Sequence, residues 1–114
     1  SIVNSYLSPA HRDHPGTGCA IPSLVGEDSR AAPEVRAIMA DQLEQSFATM
    51  AAAVGGGGES DQFAVSAWSM MIGAMMLSRL QMSDARGDQI LAMARKSILE
   101  LAVLQKEGAA TQVP

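Results

Sequence analysis

Apolar residues recur at steps of three and four along most of this chain, which is the spacing that places them on one face of an α-helix. One such series follows Pro33, a residue suited to the first turn of a helix because its missing N–H is not needed there. The series comprises Val35, Ile38, Met39, Leu43, Phe47, Met50 and Val54. Gly55 to Gly58 should end this helix and form a flexible connector, since glycine loses the most backbone entropy in a helix.

Two more long helices are predicted downstream. The first runs to about Leu80, with Ser60 or Asp61 as its N-cap. The second starts after Ser83 as N-cap and stops at Gly108. Its apolar residues are Ile90, Leu91, Ala94, Ile98, Leu101, Ala102 and Leu104. We expect one domain over residues 1–108 and a frayed tail over residues 109–114.

The N-terminal residues give shorter signals. Ile2, Val3, Tyr6 and Leu7 are typical of the end of a helix that closes before Pro9, so we expect this chain to be a piece of a longer polypeptide. Residues 9–18 have the composition of a loop, and residues 20–29 are predicted to form a short helix. No segment alternates apolar and polar residues in the manner of a strand, so the predicted fold is all-α.

The helix predicted around residues 62–80 is apolar on two faces. One face carries Val65, Trp68, Ile72, Met75 and Met76, and the other carries Phe63, Ala67, Met70, Met71, Ala74 and Leu77. A helix that is apolar nearly all round has to be buried nearly all round. Because the other helices could cover only one side, we predict that a second copy covers the other, with two helices from each copy packed as a four-helix bundle.

Charge and composition narrow the classes of function. The net charge of −4 argues against nucleic-acid binding by this chain alone, which would need clustered Lys and Arg. The single cysteine, Cys19, suits a reducing compartment, and no secretory signal is visible, so we expect a cytoplasmic protein. Residues 62–78 are uncharged but at the short limit for a membrane span, and a buried helix is the better interpretation.

Few residues suggest chemistry. His11, Asp13, His14 and Cys19 include metal-ligand side chains, but they lie in a Pro/Gly-rich segment where nothing fixes tetrahedral geometry, so no metal site is predicted. The four glycines lack the Gly-Lys-Ser/Thr ending of a phosphate loop. Four methionines between residues 70 and 76, together with Trp68, Tyr6 and Phe47, could instead wall an apolar cavity between helices.

In their order along the chain, several segments resemble the C-terminal half of a TetR-family (tetracycline-repressor-type) transcriptional regulator. They are Tyr6-Leu7-Ser8, His11-Arg12-Asp13, Gly18-Cys19-Ala20, Pro33-Glu34-Val35-Arg36, Ile72 to Arg79 and Ile90 to Arg95. The resemblance implies a domain that binds a small effector and pairs two subunits through its last two long helices. It implies neither an enzyme nor a cofactor, and operator DNA would be bound only through an N-terminal helix-turn-helix domain that this chain lacks.

The resemblance and the helical periodicity together suggest two sets of site residues. We expect the ligand cavity to be lined by Tyr6, Leu24, Met39, Leu43, Phe47, Trp68, Ile72 and Met75. We expect the dimer interface to contain Phe63, Ala67, Met71, Ala74, Ser78, Ile90, Ala94, Ser97, Ile98 and Leu101. Either set could be exchanged with the opposite face of its helix, because periodicity does not say which stripe points inward.

Two other classes of function remain open at this point. The chain could be a protein–protein interaction module without a ligand, in which the helix at 62–80 docks on an unrelated protein. It could also be a small helical enzyme that uses Cys19 with His11 or His14, although a cysteine without an oriented base is weak evidence for a nucleophile.

Overall fold

The computed structural model describes residues 2–13 and 32–111. Over these ranges the chain forms five helices: α1 (Ile2–Tyr6), α2 (Pro9–Asp13), α3 (Pro33–Ala53), α4 (Gly58–Arg79) and α5 (Asp84–Thr111). The described residues contain no strand, so the prediction of an all-α fold with three long helices is confirmed. The short helix predicted over residues 20–29 lies outside the described residues.

The centre of the fold is the antiparallel pair formed by α4 and α5. At one end of the pair, an ideal Cβ on Gly87 of α5 would lie 3.0 Å from the backbone oxygen of Ser78 in α4. At the other end, Gln105 Nε2 lies 3.5 Å from Ser60 Oγ. The two helices therefore run alongside each other over most of their length, and α1, α2 and α3 pack against them.

One continuous core joins these helices. Its buried apolar members are Val3, Tyr6, Leu7, Met50, Val54, Phe63, Ala64, Ala67, Trp68, Met71, Ala74, Met75, Leu91, Ala94 and Ile98. Only the C-terminal part of α3 contributes, because Met50 and Val54 are buried whereas Val35 and Ile38 are 45% and 59% exposed. The apolar face predicted for α3 is thus covered at one end only.

The predicted starts of two helices are confirmed. Pro33 is the first residue of α3, as its lack of an N–H predicts. Ser83 caps α5, since its Oγ accepts a hydrogen bond from the backbone N–H of Arg86 at 3.2 Å.

The predicted cap of α4 is wrong. The helix begins at Gly58, so Ser60 and Asp61 lie inside its first turn, and the N-cap is Gly57 with φ 97°. Gly55 and Gly56 also have positive φ, which only glycine adopts at low cost. The glycines therefore form a tight reversal between α3 and α4, and the last of them is helical. The buried Ser60 hydroxyl donates to the Gly56 carbonyl at 2.8 Å, inside this reversal.

The end of α5 and the segment after Pro9 also differ from prediction. The helix continues through Gly108 to Thr111, because the alanines that follow Gly108 favour helix strongly. Residues 9–13 form α2 rather than loop, with Pro9 in the first turn and the Arg12 N–H bonded to the Ser8 carbonyl at 3.1 Å. In α2, tertiary contacts of Arg12 override a loop-like composition. Among the described helices none has the length and apolarity to cross a membrane.

The packing of α4 against α5 can be tested with two methionines of opposite environment. Met71 is fully buried in α4, whereas Met82 is fully exposed in the turn that follows. We expect Met71→Ala to lower the free energy of unfolding by about 2–5 kcal/mol through the cavity it leaves. Met82→Ala should change it by less than about 0.5 kcal/mol. Urea denaturation measures both, and equal effects would contradict the packing described.

Candidate functional site

Tyr6 and Trp68 form an aromatic pair where α1 meets α4. Their ring centroids are 5.3 Å apart and the rings are nearly perpendicular, at 83°. This edge-to-face arrangement is the preferred geometry of aromatic pairs. The indole Nε1–H of Trp68 donates to the Ser46 carbonyl of α3 at 3.1 Å, so Trp68 also fixes α3 against α4.

Five of the eight predicted cavity residues, including this pair, belong to the core or pack against it. Tyr6, Trp68 and Met75 are buried in the core, and the half-buried Phe47 and Ile72 pack against it. Met39 and Leu43 are half-buried on α3 but are not part of the core cluster. Leu24 lies outside the described residues. In this structure the aromatic and methionine side chains pack on one another, so an apolar ligand would have to displace one of them.

Two arginines of the long helices hold the ends of the short helices. Arg95 Nη1 of α5 donates to the Leu7 carbonyl at 2.8 Å, at the C-terminal end of α1. Arg79 Nε, in the last turn of α4, donates to the Arg12 carbonyl at 3.2 Å, at the C-terminal end of α2. Carbonyls at a helix C-terminus lack helical partners and carry partial negative charge, so cationic donors there stabilise the helix. A five-residue helix needs such help, because isolated helices this short are unstable in water.

A third arginine, Arg12, belongs to the short helix α2 and contacts the start of the long helix α5. Its side chain is 6% exposed, and Nη1 lies 2.6 Å from Asp88 Oδ1. The same nitrogen donates to the Asp84 carbonyl at 3.4 Å, and Nη2 lies 3.9 Å from the exposed Asp84 carboxylate. An ideal Cβ on Gly87 would come within 2.7 Å of Arg12 Nη1, so only glycine admits the guanidinium this closely.

Sequence reasoning missed this cluster. Arg12 was noted only as part of the segment His11-Arg12-Asp13, and Asp88 was not singled out. Gly87, near the start of a predicted helix, was the available signal, because a glycine inside a helix often marks a close approach.

The predicted dimer set mostly faces inward. Phe63, Ala67, Met71, Ala74, Ser78, Ala94 and Ile98 are buried in the core of the single chain. Each of them is at most 9% exposed in the single chain. Periodicity had identified these residues without showing the direction in which they point.

A row of mostly apolar residues along the same two helices faces outward. Leu77 follows Trp68 by nine residues and Leu104 follows Arg95 by nine, or about two and a half helical turns, so each points away from the contacts with α1 and α3. We call this the outer face; it consists of Met70, Leu77, Ile90, Met93, Ser97, Leu101 and Leu104. Leu77, Met93 and Leu104 are 53%, 60% and 63% exposed. Three of the predicted dimer residues, Ile90, Ser97 and Leu101, belong to it.

A shallow groove of about 450 Å³ runs along another side of α5. It is lined by Ala92, Arg95, Lys96, Leu99, Glu100 and Val103. None of the predicted cavity residues that the structure describes lines this groove. It is therefore separate from the aromatic pair.

The residues considered as metal ligands or as a nucleophile fall outside the part of the chain whose side chains the structure describes. His14 and Cys19 lie outside the described residues, as do the side chains of His11 and Asp13. Within the described part, no group of three or more His, Cys, Asp or Glu side chains is placed to hold a metal ion.

Comparison of the chain with protein-family models, with curated proteins and with solved structures finds no match. The resemblance to TetR-family regulators accordingly stays a prediction made from the residues.

The close approach at Gly87 predicts a specific cost for an added methyl group. Gly87→Ala should destabilise the fold by about 1–3 kcal/mol, because the methyl group would press on Arg12 and on the Ser78 backbone. Gly108→Ala is the matched control: nothing lies within 4 Å of its ideal Cβ. It should be neutral or stabilising by up to about 1 kcal/mol through helix propensity. Thermal unfolding of both variants measures these changes in stability. A Gly87→Ala variant as stable as the unsubstituted chain would contradict the close approach of Arg12 to Gly87.

Proposed function

We propose that this chain is the effector-sensing and homodimerisation domain of a TetR-type transcriptional regulator. The observation that carries the proposal is the outer face, an exposed apolar surface that spans both α4 and α5 while the opposite side of the same helices is buried in the core. Soluble chains seldom expose a contiguous apolar surface of this kind unless it binds something.

A second copy of the chain is the occupant that fits this surface best. The outer face extends along two antiparallel helices, and none of its seven residues is charged. Two such faces related by a twofold axis would form a four-helix bundle, in which each face is complementary to itself. Gly73, half-buried on the solvent side of α4, has nothing within 4 Å of its ideal Cβ and leaves room for the partner's helix to approach closely.

The pairing surface is tested by two neighbouring substitutions on α5. Leu101 belongs to the outer face, whereas Val103 points toward the groove on another side, and the two are similarly exposed, at 43% and 55%. We expect Leu101→Glu to raise the dimer dissociation constant about tenfold or more, because a carboxylate would be buried unpaired in both copies. Val103→Glu should leave it unchanged.

Sedimentation equilibrium measures this dissociation constant. Equal dissociation constants for the two variants would contradict pairing through the outer face. A chain that stays monomeric whether or not it carries the substitution would favour the alternative of an interaction module for a different protein.

The ligand site is proposed at the aromatic pair, between α1, α3 and α4. Trp68 and Phe47 offer flat rings and Met75 a polarizable thioether, which favours a small hydrophobic or aromatic compound. The half-buried Leu43 lies outside the core cluster, one helical turn before Phe47 on α3, where it would extend this apolar surface. A ligand that enters would take the place of the Tyr6 ring against Trp68. Such a ligand can shift the helices only if it binds the two arrangements with different affinity.

Control of DNA binding follows from the dimer. In the proposed full protein, each copy would carry an N-terminal helix-turn-helix head, and the two heads would contact half-sites about 34 Å apart. Movement of α1 on ligand binding would change the spacing of the heads and so the affinity for the operator. No residue of this domain has to do covalent chemistry.

Trp68 is the only tryptophan of the chain and reports directly on this site. We expect N-phenyl-1-naphthylamine, a neutral aromatic probe, to quench Trp68 emission in a saturable manner. Leu43→Ala should weaken the binding several-fold by removing apolar contact. Ile38→Ala, on an exposed part of the same helix, should have no effect. A fluorescence titration that finds no saturable quenching, or equal effects of the two substitutions, would contradict the site.

A further inference from the structure

The two short helices form an N-terminal arm, residues 2–13, that lies against α4 and α5. Its apolar side chains Val3, Tyr6 and Leu7 are buried, and Tyr6 covers Trp68. Two of its backbone carbonyls are held by arginines, and its own Arg12 reaches the start of α5. The arm thus combines a small apolar plug with a set of ionic and charge-assisted hydrogen bonds at its two helix ends.

We propose that this arm opens as a unit, that the Arg12–Asp88 ion pair is its latch, and that opening uncovers Trp68. The proposal deepens the proposed function, since the uncovered surface is the one where the ligand is expected to bind. Arg12 is a positioning residue in this scheme. It acts on the ligand site through Tyr6, six residues earlier in the same arm.

The division of contacts between the arm and the rest supports a separate opening. The contact of α4 with α5 rests on fully buried side chains such as Met71, Leu91 and Ile98, none of which the arm contributes. The arm's own helices have five residues each and depend on donors from α4 and α5. Parts of a protein with few buried apolar contacts open at a lower free energy than its core.

The geometry singles out Asp88 as the partner that holds the latch closed. Its Oδ1 lies 2.6 Å from Arg12 Nη1, and the Arg12 side chain is 6% exposed, so loss of Asp88 would remove a charge-assisted hydrogen bond from a buried guanidinium. Asp84 lies on the same helix and carries the same charge, but its carboxylate is 93% exposed and 3.9 Å from the guanidinium. Removal of a hydrogen bond to a charged group costs far more when the partner stays buried.

The test compares Asp88→Ala with Asp84→Ala in the full chain. Asp88 is half-exposed, so its removal should leave α4 and α5 folded. Hydrogen exchange by mass spectrometry is followed for peptides from residues 2–13, with peptides from α4 and α5 as internal references. We expect exchange of the arm in Asp88→Ala to be about tenfold faster or more, as for loss of a charged hydrogen bond. In Asp84→Ala it should be less than about threefold faster.

A second measurement reports the uncovering of Trp68. Acrylamide should quench Trp68 emission more efficiently in Asp88→Ala than in the unsubstituted chain or in Asp84→Ala. Equal exchange rates of the arm in the two variants would overturn the latch, and arm exchange that speeds up only together with exchange of α4 and α5 would overturn separate opening. Faster arm exchange without a change in quenching would overturn the role of the arm as the cover of Trp68.

These outcomes are distinct from failure of the proposed function. If N-phenyl-1-naphthylamine binds neither variant while arm exchange and quenching change as expected, the sensing function is contradicted and the latched arm is supported.

Discussion

The close packing of α4 against α5 is the contact on which the other parts of this molecule depend. The side of α4 that faces α5 carries short side chains at Ala64, Ala67 and Ala74. The larger side chains of Met71, Leu91 and Ile98 fill the space beside them. Because small and large side chains alternate across the contact, the helices approach closely along their length. This pairing fixes two surfaces at once: an inner one that receives the arm and α3, and the outer face on the other side.

Polar groups then tie the short helices to this frame. Arg79 and Arg95 belong to the long helices and hold carbonyls of α2 and α1, while Arg12 belongs to α2 and holds Asp88 of α5. The direction of each bond matters, because each carbonyl acceptor lies at a helix end where it has no partner in its own helix. Hydrogen bonds at the ends of its two helices thus fix the position of the arm, and this position holds the Tyr6 ring against Trp68.

The long helices could be predicted because their signals are local. Spacing of apolar residues, Pro33 at a helix start and the Ser83 cap all operate within a few residues, and the structure agrees with them. The features that sequence reasoning missed depend on distant partners. Residues 9–13 are helical, and Arg12 in their last turn pairs with Asp88, a residue 76 positions later. No pattern within a window of the sequence indicates such a pair.

Which apolar residues of α4 point into the core also could not be predicted from the sequence, because this too depends on distant residues. Met71 and Leu77 are both apolar and both lie on α4, yet one is fully buried and the other is 53% exposed. Which of them enters the core is decided by where α1, α3 and α5 pack, and that depends on residues far away in the sequence. Periodicity predicted two apolar faces on α4, and the structure buries members of both. Trp68 of one face and Met71 of the other lie in the core, whereas Leu77, predicted on the same face as Met71, is exposed.

The central claim is that the outer face of α4 and α5 is covered by a second copy of the chain. Sedimentation equilibrium of the unsubstituted chain over micromolar concentrations tests it most directly. The account predicts a mass of twice the 11.9 kDa of one chain. A mass of one chain throughout that range, with far-ultraviolet circular dichroism showing folded helices, would contradict it.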